Sequence, residues 1–286
     1  MIGKLQQDGH GVAACCQLFK VSQSGYYESK KRVDRSTSRQ LHYKLLADKI
    51  EALFYQHKGR CGRIRLKRYL QAMGTQVSEK FIDKTMKARG LLARRKRSYQ
   101  PKTTTVTATK FAPNQLVNNS PKSANQVIVT DITYLRTHEG FLYLSAIMDL
   151  KTKLIKGYSC SDSLHTDFTL KSLATAMRHY PELKGAIHHS DRGCQYTSGS
   201  YTKAVQNYGL KLSMSAQGYC YDNAAIESFW ATLKLEMGIE AHTVFETKEQ
   251  ARQAVFEYID GYYNTVRIHS AIDYKTPQQA EAALTA

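Results

Sequence analysis

Apolar residues in the second half of the chain form short runs that alternate with longer stretches of helical periodicity. The runs have the length of strands and cover residues 126–135, 141–150, 154–160, 185–190 and 210–215. Helical patterns cover residues 166–180, 198–208, 218–236 and 247–263. Three strands in succession, followed by helices that alternate with strands, indicate an α/β domain with a mixed five-stranded sheet.

The preceding part of the chain carries helical patterns. Residues 12–19, and a second stretch that Ser22 or Ser24 can cap, suggest a first helix-turn-helix pair. A longer amphipathic helix at 38–57 has an apolar face formed by Leu41, Leu45, Ile50, Leu53 and Phe54.

A second helix-turn-helix pair is predicted at residues 62–73 and 79–89. Ile64 is among the apolar positions of its first helix, Ser78 caps its second helix, and Gly90 ends it. The expected segments are an amino-terminal helical element, a helix-turn-helix region, a Thr-, Ser-, Asn- and Pro-rich linker, and an α/β catalytic core with a helical tail. We place them at 1–37, 38–97, 98–124 and 125–286.

Positive charge is concentrated in the first part of the chain. The net charge is +17, and residues 1–120 hold 25 basic and 7 acidic residues, against 16 and 17 in the rest. This asymmetry points to a polyanion, most simply DNA. The basic candidates of the second pair and the linker are Arg63, Arg65, Lys84, Lys87, Arg94, Arg95, Lys96 and Arg97. The alternatives are a structural three-helix bundle with a solvated basic face and a solvated tether.

Other partners and compartments are disfavoured. No apolar run approaches the ~18 residues of a membrane span, and the first residues lack an apolar signal-peptide centre, so we expect a cytoplasmic protein without a membrane segment. The six cysteines are scattered and form no CxxC pair, which suggests neither a disulfide framework nor a zinc ribbon.

Three carboxylates occupy unusual positions. Asp131 lies inside an apolar strand, where an unpaired ionised carboxylate costs several kcal/mol. Asp191 follows the fourth strand, at the sheet edge where α/β folds bind ligands. Glu227 lies on a helix, opposite its apolar face. Taken singly, the three have ordinary alternatives: an Asp paired with an Arg, a turn, and a surface helix.

Together the three acids suggest phosphodiester chemistry with two Mg²⁺ ions, which prefer oxygen ligands and can act about 3.5–4 Å apart. The apolar face of the Glu227 helix comprises Ile226, Phe229, Leu233 and Met237, with Asp222 as N-cap. Asn223, Ala231 and Lys234 share the face of Glu227, and Lys234 is placed to contact DNA phosphate. For His188 and His189 we favour packing over metal ligation, because neighbours on a strand point apart.

Four motifs of the catalytic domain resemble the DDE transposases of bacterial insertion sequences, in the family named after insertion sequence three. They are TDITYL, HHSDRGCQYTS, DNAAIESFWATLKLE and YYNTVRIHSAIDYKTP. The 35 residues between Asp191 and Glu227 match the spacing of that family, as does the lysine seven residues after the glutamate. VSQSGYYESKKR and CGRIRLKRYL…VSEKFIDKTMKARGLLARRKR resemble its amino-terminal and helix-turn-helix segments.

The resemblance implies an RNase H-like fold similar to retroviral integrases, with Asp131, Asp191 and Glu227 as catalytic metal ligands. It implies Mg²⁺-dependent cleavage by water at element ends, followed by attack of the freed 3′-hydroxyl on another phosphodiester. Two Mg²⁺ ions are expected, with Mn²⁺ as a substitute. Asn223, Arg267 and His269 are further site or DNA-contact candidates; their alternatives are capping for Asn223 and helix-end packing for the other two.

The expected partners are double-stranded DNA, as terminal inverted repeats and target, and further copies of the chain on that DNA. The protein is expected at the bacterial nucleoid. The resemblance is to the second-frame product of an element, so the upstream-frame product is a further expected partner. The sequence departs from the family's frequent Trp, Tyr and Gly at Ile128, Cys61 and Asp273. Rival functions are a catalytically silent DNA-binding regulator and a related metal-dependent nuclease.

Overall fold

The computed structural model describes residues 1–34, 38–94, 111–116, 121–215, 223–239 and 244–285. The chain forms two compact units, Met1–Ala93 and Arg94–Ala286. No helix within these ranges has the length and apolar character that crossing a membrane requires.

The first unit is helical throughout its described residues. Its helices are α1 Ile2–Gln7, α2 Val12–Leu18, α3 Gln23–Asp34, α4 Ser38–Gln56, α5 Arg63–Ala72 and α6 Glu79–Ala88. Of these, α1 was not predicted from the sequence. The core of α4, α5 and α6 is built from residues that recur at helical spacing, namely Ile50, Leu53, Phe54, Leu66, Leu70 and Ile82.

Local signals set the helix ends in this unit. The Ser78 hydroxyl accepts a hydrogen bond from the Phe81 amide at 3.2 Å, as a capping serine should. Gly90 ends the same helix with a φ of +67°, which glycine adopts readily. Ser22 accepts from the Gly25 amide at 3.1 Å, so Ser22 is the cap of the first pair.

The apolar face predicted for α4 is wrong in its first half. Leu41 is 50% exposed and Leu45 is 63% exposed, whereas Ile50, Leu53 and Phe54 are buried. The side chains of Leu41 and Leu45 lie outside the small core, and the contact of these first turns with α6 is made by Tyr43, whose ring centroid is 5.3 Å from that of Phe81. Ile64 on α5 is likewise exposed at 46%.

The second unit has a five-stranded sheet with helices on both faces. The strands are β1 Val127–Thr137, β2 Gly140–Asp149, β3 Ile155–Ser161, β4 Ile187–Ser190 and β5 Lys211–Met214, in the order β3-β2-β1-β4-β5. The helices are α7 Thr166–His179, α8 Cys194–Thr197, α9 Gly199–Asn207, α10 Ala224–Glu236, α11 Lys248–Tyr258 and α12 Pro277–Thr285.

The sheet is mixed, as predicted. Strands β1, β2 and β3 form an antiparallel meander, and β4 and β5 run parallel to β1. With the helical unit ahead of it, this arrangement confirms the predicted fold class of an RNase H-like α/β domain preceded by an all-α region.

Alternation along the strands divides the core into two layers. On one face, Val129 and Leu135 pack with α10 and α11. On the other face, Ile128 and Ile147 pack with α7 and α9. Gly157 permits close packing of β3 on α7, since a Cβ there would lie 2.5 Å from the Ser172 carbonyl oxygen.

The C-terminal segment returns to the sheet through buried charges. A π-helical turn at Ile259–Tyr263 follows α11, and a 3-10 turn at Ser270–Ile272 precedes α12. The Lys156 ammonium is fully buried on β3 and lies 2.6 Å from the Glu281 carboxylate of α12. This ion pair fastens α12 to the sheet.

Of the three positions at which the sequence departs from the resembled family, two are buried packing positions and one lies in a turn. Cys61 and Ile128 are fully buried in the cores of the two units. Asp273 has a φ of +56° and a ψ of +38°, in the left-handed region. Glycine fits that region without steric cost, which explains why a glycine suits this turn.

Candidate active site

Strand pairing brings Asp131 and Asp191 to one end of the sheet. Val127, Ile128 and Val129 of β1 are in parallel register with Ile187, His188 and His189 of β4. Continuing that register by two residues sets Asp131 opposite Asp191. Neighbouring strands lie about 4.8 Å apart, and in-register residues of parallel strands point to the same face.

Asp131 is partly buried beneath α10. Its Oδ2 accepts a hydrogen bond from the indole Nε1 of Trp230 at 3.0 Å. Burial raises the pKa of Asp131 to about 7, with further increases from the charges of Asp191 and, least, Glu227. The hydrogen bonds from the Ile132 amide and Trp230 only partly oppose these effects. The charge of this carboxylate is therefore poorly compensated.

Asp191 lies in the turn that follows β4, with its side chain open to solvent. Its Oδ1 accepts a hydrogen bond from the Gly193 amide at 2.9 Å. A Cβ at residue 193 would lie only 3.0 Å from that oxygen, so glycine suits the position. Desolvation by the surrounding protein raises the pKa of Asp191, against this hydrogen bond.

Glu227 lies in the first turn of α10 and is exposed. Desolvation and then the charge of Asp191 raise its pKa, so its carboxylate lies within electrostatic range of the site. Within the described ranges, no three His, Cys, Asp or Glu side chains are close enough together to hold a metal ion. The third carboxylate therefore lies beside the other two without closing a three-ligand cluster.

The apolar face of α10 holds the helix against the sheet, as predicted. Ile226, Phe229 and Leu233 are buried, and Met237 packs against the same core. The predicted N-cap, Asp222, lies outside the described residues; the N-cap position is that of Asn223.

Asn223 does not share the solvent-facing side of α10 with Glu227. It is 4% exposed, makes no capping hydrogen bond, and donates a long bond of 3.4 Å to the Thr130 carbonyl. Its burial follows from the entry of α10, which passes directly over β1.

Lys234 lies two turns after Glu227, partly buried. Its Nζ is 4.9 Å from the centroid of the Tyr134 ring. Desolvation lowers the pKa of Lys234, and the charge of Asp131 opposes that effect. The ammonium thus lies beside the Tyr134 ring and within electrostatic range of Asp131.

Arg267 and His269 lie beside the far end of α10. The Arg267 guanidinium is 3.0 Å from the buried Glu236 carboxylate, which also accepts from the Tyr258 hydroxyl. The His269 ring packs edge-on against Tyr263. These contacts favour the helix-end packing interpretation over a DNA contact for both residues.

The basic candidates of the helical region lie in different settings. Arg63, Lys84 and Lys87 are exposed, although Lys87 pairs with Asp83 at 2.8 Å. Arg65 is partly buried and donates to the Arg60 carbonyl. Arg94 donates to the Glu236 carbonyl at 2.8 Å. Arg95, Lys96 and Arg97 lie outside the described residues.

The histidines beside Asp191 have packing roles, as predicted. Both are fully buried. His188 contacts the Tyr201 hydroxyl at 3.1 Å through Nε2, and His189 contacts the Ser213 hydroxyl at 2.8 Å through Nδ1.

Sequence patterns did not indicate three residues around the site. Of the three, Trp230 is the residue that the sequence could have indicated, because it is the single Trp of the chain and lies three residues after Glu227. Arg192 packs over the Phe111 ring at 4.0 Å and donates to the Ser215 carbonyl at 2.7 Å. Phe111 belongs to the linker, and its contact is long-range, so no local pattern could indicate it.

The family models that match the chain agree with this architecture. Two family descriptions named "Integrase core domain" match residues 121–220 and 208–277, and one named "HTH-like domain" matches residues 42–99. A solved structure of the HTLV-2 integrase catalytic core domain in complex with magnesium covers 57% of the chain and 99% of its own, at 15% identity and a TM-score of 0.43.

Two relatives match over most of their length. The transposase for insertion sequence element IS904 of Lactococcus lactis subsp. lactis (strain IL1403) is 37% identical, covering 86% of this chain and 97% of its own. Transposase InsF for insertion sequence IS3A of Escherichia coli (strain K12) is 34% identical, covering 94% and 93%. The chain therefore belongs to the transposases of the IS3 family of insertion sequences.

Proposed function

We propose that this transposase cuts DNA at the ends of its element by Mg²⁺-dependent hydrolysis and then joins the freed 3′-hydroxyl to another phosphodiester. Asp131, Asp191 and Glu227 are the proposed metal ligands. The observation that carries the proposal is that Asp131 and Asp191 lie at one end of the sheet, with Glu227 of α10 within electrostatic range. Burial raises the pKa of each of the three carboxylates, and the charge of Asp191 adds to the rise for Asp131 and Glu227.

The donor set suits a hard divalent cation. Carboxylate oxygens are the ligands that Mg²⁺ takes, with Mn²⁺ as a chemically similar substitute. Asp131, Asp191 and Glu227 would hold two such cations, which would supply charge neutralisation for the attacking and leaving oxygens. Glu227 is exposed, so a change of side-chain rotamer can bring its carboxylate toward the other two.

Three further residues are proposed to position the metal ligands or to bind the DNA substrate. Trp230 holds the Asp131 carboxylate in place by donating a hydrogen bond to its Oδ2. Lys234, which is near Asp131, is positioned to bind a phosphate of the strand being cut. Asn223 supports the start of α10 over β1 and, through α10, the position of Glu227.

We propose the partners of the chain from the same cutting and joining reaction. The substrates are double-stranded DNA, as terminal inverted repeats and target, and a synaptic complex needs at least two copies of the chain on that DNA. The upstream-frame product of the element remains a further proposed partner. Joining by this chain alone, compared with joining after that product is added, tests whether it is needed.

The test is joining of labelled element ends to a target by the full chain in Mg²⁺. We predict that Glu227→Gln abolishes joining while binding of the same DNA survives, because the substitution removes a ligand charge and keeps the side-chain shape. Glu246→Gln is the matched control, since Glu246 is an exposed glutamate of the same unit, and it should join normally.

Joining by Glu227→Gln at the normal rate would remove Glu227 from the site. Cleavage without joining by the unaltered chain would instead favour the related nuclease. Binding without either reaction would favour the silent regulator.

A further inference from the structure

Part of the linker lies along the edge of the sheet, next to the turn that carries Asp191. Strand β5 is the last strand in the order β3-β2-β1-β4-β5, and the outward-facing backbone groups of such a strand need other partners. The Gln115 amide donates a hydrogen bond to the Ser213 hydroxyl at 2.9 Å, and the Gln115 side chain donates to the Leu212 carbonyl at 2.8 Å. Residues 111–116 thus contact β5, and we call them the edge segment.

The contacts of the edge segment lead toward the Asp191 turn. The Ser213 hydroxyl that binds Gln115 also lies 2.8 Å from the Nδ1 of His189, two residues before Asp191. Residues two apart along a strand share a face, so His189 and Asp191 point to the same side of the sheet. The edge segment is therefore hydrogen-bonded, through Ser213, to the strand end that supports Asp191.

The Arg192 guanidinium is held between the edge segment and the end of β5. Its Nε donates to the Ser215 carbonyl at 2.7 Å, and its Cζ lies 4.0 Å from the centroid of the Phe111 ring. A cation over an aromatic ring at this distance is attracted to it, more strongly where water is partly excluded. The Arg192 side chain therefore has two contacts, one of which the linker supplies.

The neighbouring Asp191 carboxylate is the obvious alternative partner for this guanidinium. Arginine commonly binds a carboxylate through two parallel hydrogen bonds, which would occupy the oxygens that a metal ion needs. Among the described residues, Arg192 forms no ion pair with an acidic side chain, and its contacts are those to Ser215 and Phe111. Desolvation and the opposing Gly193 hydrogen bond account for the pKa of Asp191, without the lowering that an adjacent cation would cause.

We propose that Phe111 is a positioning residue for the metal site. Its ring holds the Arg192 guanidinium against the linker, so the Asp191 carboxylate stays free to bind a divalent cation. The edge segment thereby raises the affinity of the site for metal, although it contributes no ligand. The inference rests on the proposed function in taking Asp191 as a metal ligand.

The test is a Mg²⁺ titration of the full chain with saturating DNA end, followed by Trp230 fluorescence. Phe111→Ala releases the guanidinium to pair with Asp191, and we expect the half-saturating Mg²⁺ concentration to rise about fivefold. Phe111→Tyr keeps the ring and should titrate normally. Phe111→Ala/Arg192→Gln should return to within about twofold of normal, because glutamine carries no charge and can still donate to the Ser215 carbonyl.

Phe256→Ala is the matched control and should titrate normally, since Phe256 is an aromatic residue of α11 that is 60% exposed. A normal titration in Phe111→Ala would overturn the proposal. A weakened titration that Arg192→Gln does not restore, or that Phe256→Ala shares, would also overturn it, because the effect would then come from a general loss of packing.

A second measurement needs no metal and separates this inference from the proposed function. In EDTA, hydrogen exchange of the peptide covering residues 190–196 should be about fivefold faster in Phe111→Ala than in the unaltered chain or in Phe111→Tyr, because the turn loses its contact with the linker. Absence of any Mg²⁺ response in the unaltered chain would contradict the proposed function, and the exchange comparison then decides this inference alone. Equal exchange in Phe111→Ala and the unaltered chain would overturn it.

Discussion

Asp131 and Lys156 show two ways in which the second unit accommodates a buried ionisable side chain. The Lys156 ammonium is paired with the Glu281 carboxylate at 2.6 Å and donates to the side-chain Oδ1 of Asn125 at 2.5 Å. Asp131 receives the neutral indole donor of Trp230 instead, and burial and neighbouring acids raise its pKa to about 7. The poorly compensated charge of Asp131 distinguishes a ligand-binding carboxylate from a structural ion pair.

The buried side chain of His188 makes the stability of the fold depend on pH. Burial lowers the pKa of His188 from 6.5 to about 4, whereas an unfolded histidine keeps its usual pKa. As pH falls from 6.5 toward 4, the unfolded state takes up the His188 proton first, so His188 lowers the free energy of unfolding, whereas Asp131, whose pKa is raised to about 7, contributes with the opposite sign. The loss from His188 is on the order of 3 kcal/mol at most and is complete near pH 4.

Urea denaturation at several pH values checks this expectation. Between pH 6.5 and 4, the free energy of unfolding of His188→Gln should gain on that of the unaltered chain by up to the His188 contribution, although the variant is less stable at neutral pH. His179→Gln, at an exposed histidine, should keep the pH dependence of the unaltered chain. Parallel curves for the unaltered chain and His188→Gln would contradict the assignment.

At the scale of elements, the sequence predicts those strands, helix caps and helix faces that depend only on neighbouring residues. The strands, the caps Ser22 and Ser78, and the apolar face of α10 follow from periodicity and residue type. The open first half of α4 was mispredicted, because periodicity cannot show where a core ends. The burial of Asn223 and the Phe111 contact with Arg192 depend on how distant segments meet, which no local pattern contains.

Helix α12 offers a test of element-scale energetics. Glu281→Leu leaves the Lys156 cation buried without its counter-charge, and we expect a loss of about 3–5 kcal/mol in the free energy of unfolding. Lys156→Met/Glu281→Leu removes both charges and should recover most of that loss. Glu249→Gln affects only an exposed pair and should cost under about 1 kcal/mol.

Chemical denaturation of the four proteins supplies the measurement. A double variant no more stable than Glu281→Leu would mean that α12 is held by something other than this pair. A small loss in Glu281→Leu itself would show that Lys156 finds water or another partner.

At the scale of the whole molecule, charge and chemistry are divided along the chain. The basic excess lies within residues 1–120, while the rest of the chain is close to neutral and carries the three acids. On this division we expect DNA affinity to come mainly from the first unit and the linker, and the proposed reaction to take place in the second unit. It also agrees with the separate matches to an HTH-like domain and an integrase core domain.

The basic run at the start of the linker tests this division. Replacing Arg95, Lys96 and Arg97 with Ala should weaken binding to every DNA sequence alike, because phosphate contacts carry no sequence information. The slope of log affinity against log salt should become shallower by about 0.9 for each phosphate that the variant no longer neutralises. Fluorescence anisotropy from 50 to 200 mM salt measures it, and an unchanged slope would make the run a plain tether.

The central claim is that the acids of β1, of the turn after β4, and of α10 form one divalent-cation site. Trp230 reports on it directly, because it is the single Trp of the chain and hydrogen-bonds to Asp131. We predict a saturable change in Trp230 fluorescence as Mg²⁺ is added to the full chain with its DNA end. Asp191→Asn, which leaves the Trp230 hydrogen bond in place, and Glu227→Gln should each weaken that response at least tenfold, while Glu246→Gln should not. An unaltered titration curve in Asp191→Asn, or no response to Mg²⁺ in the unaltered chain, would contradict the account.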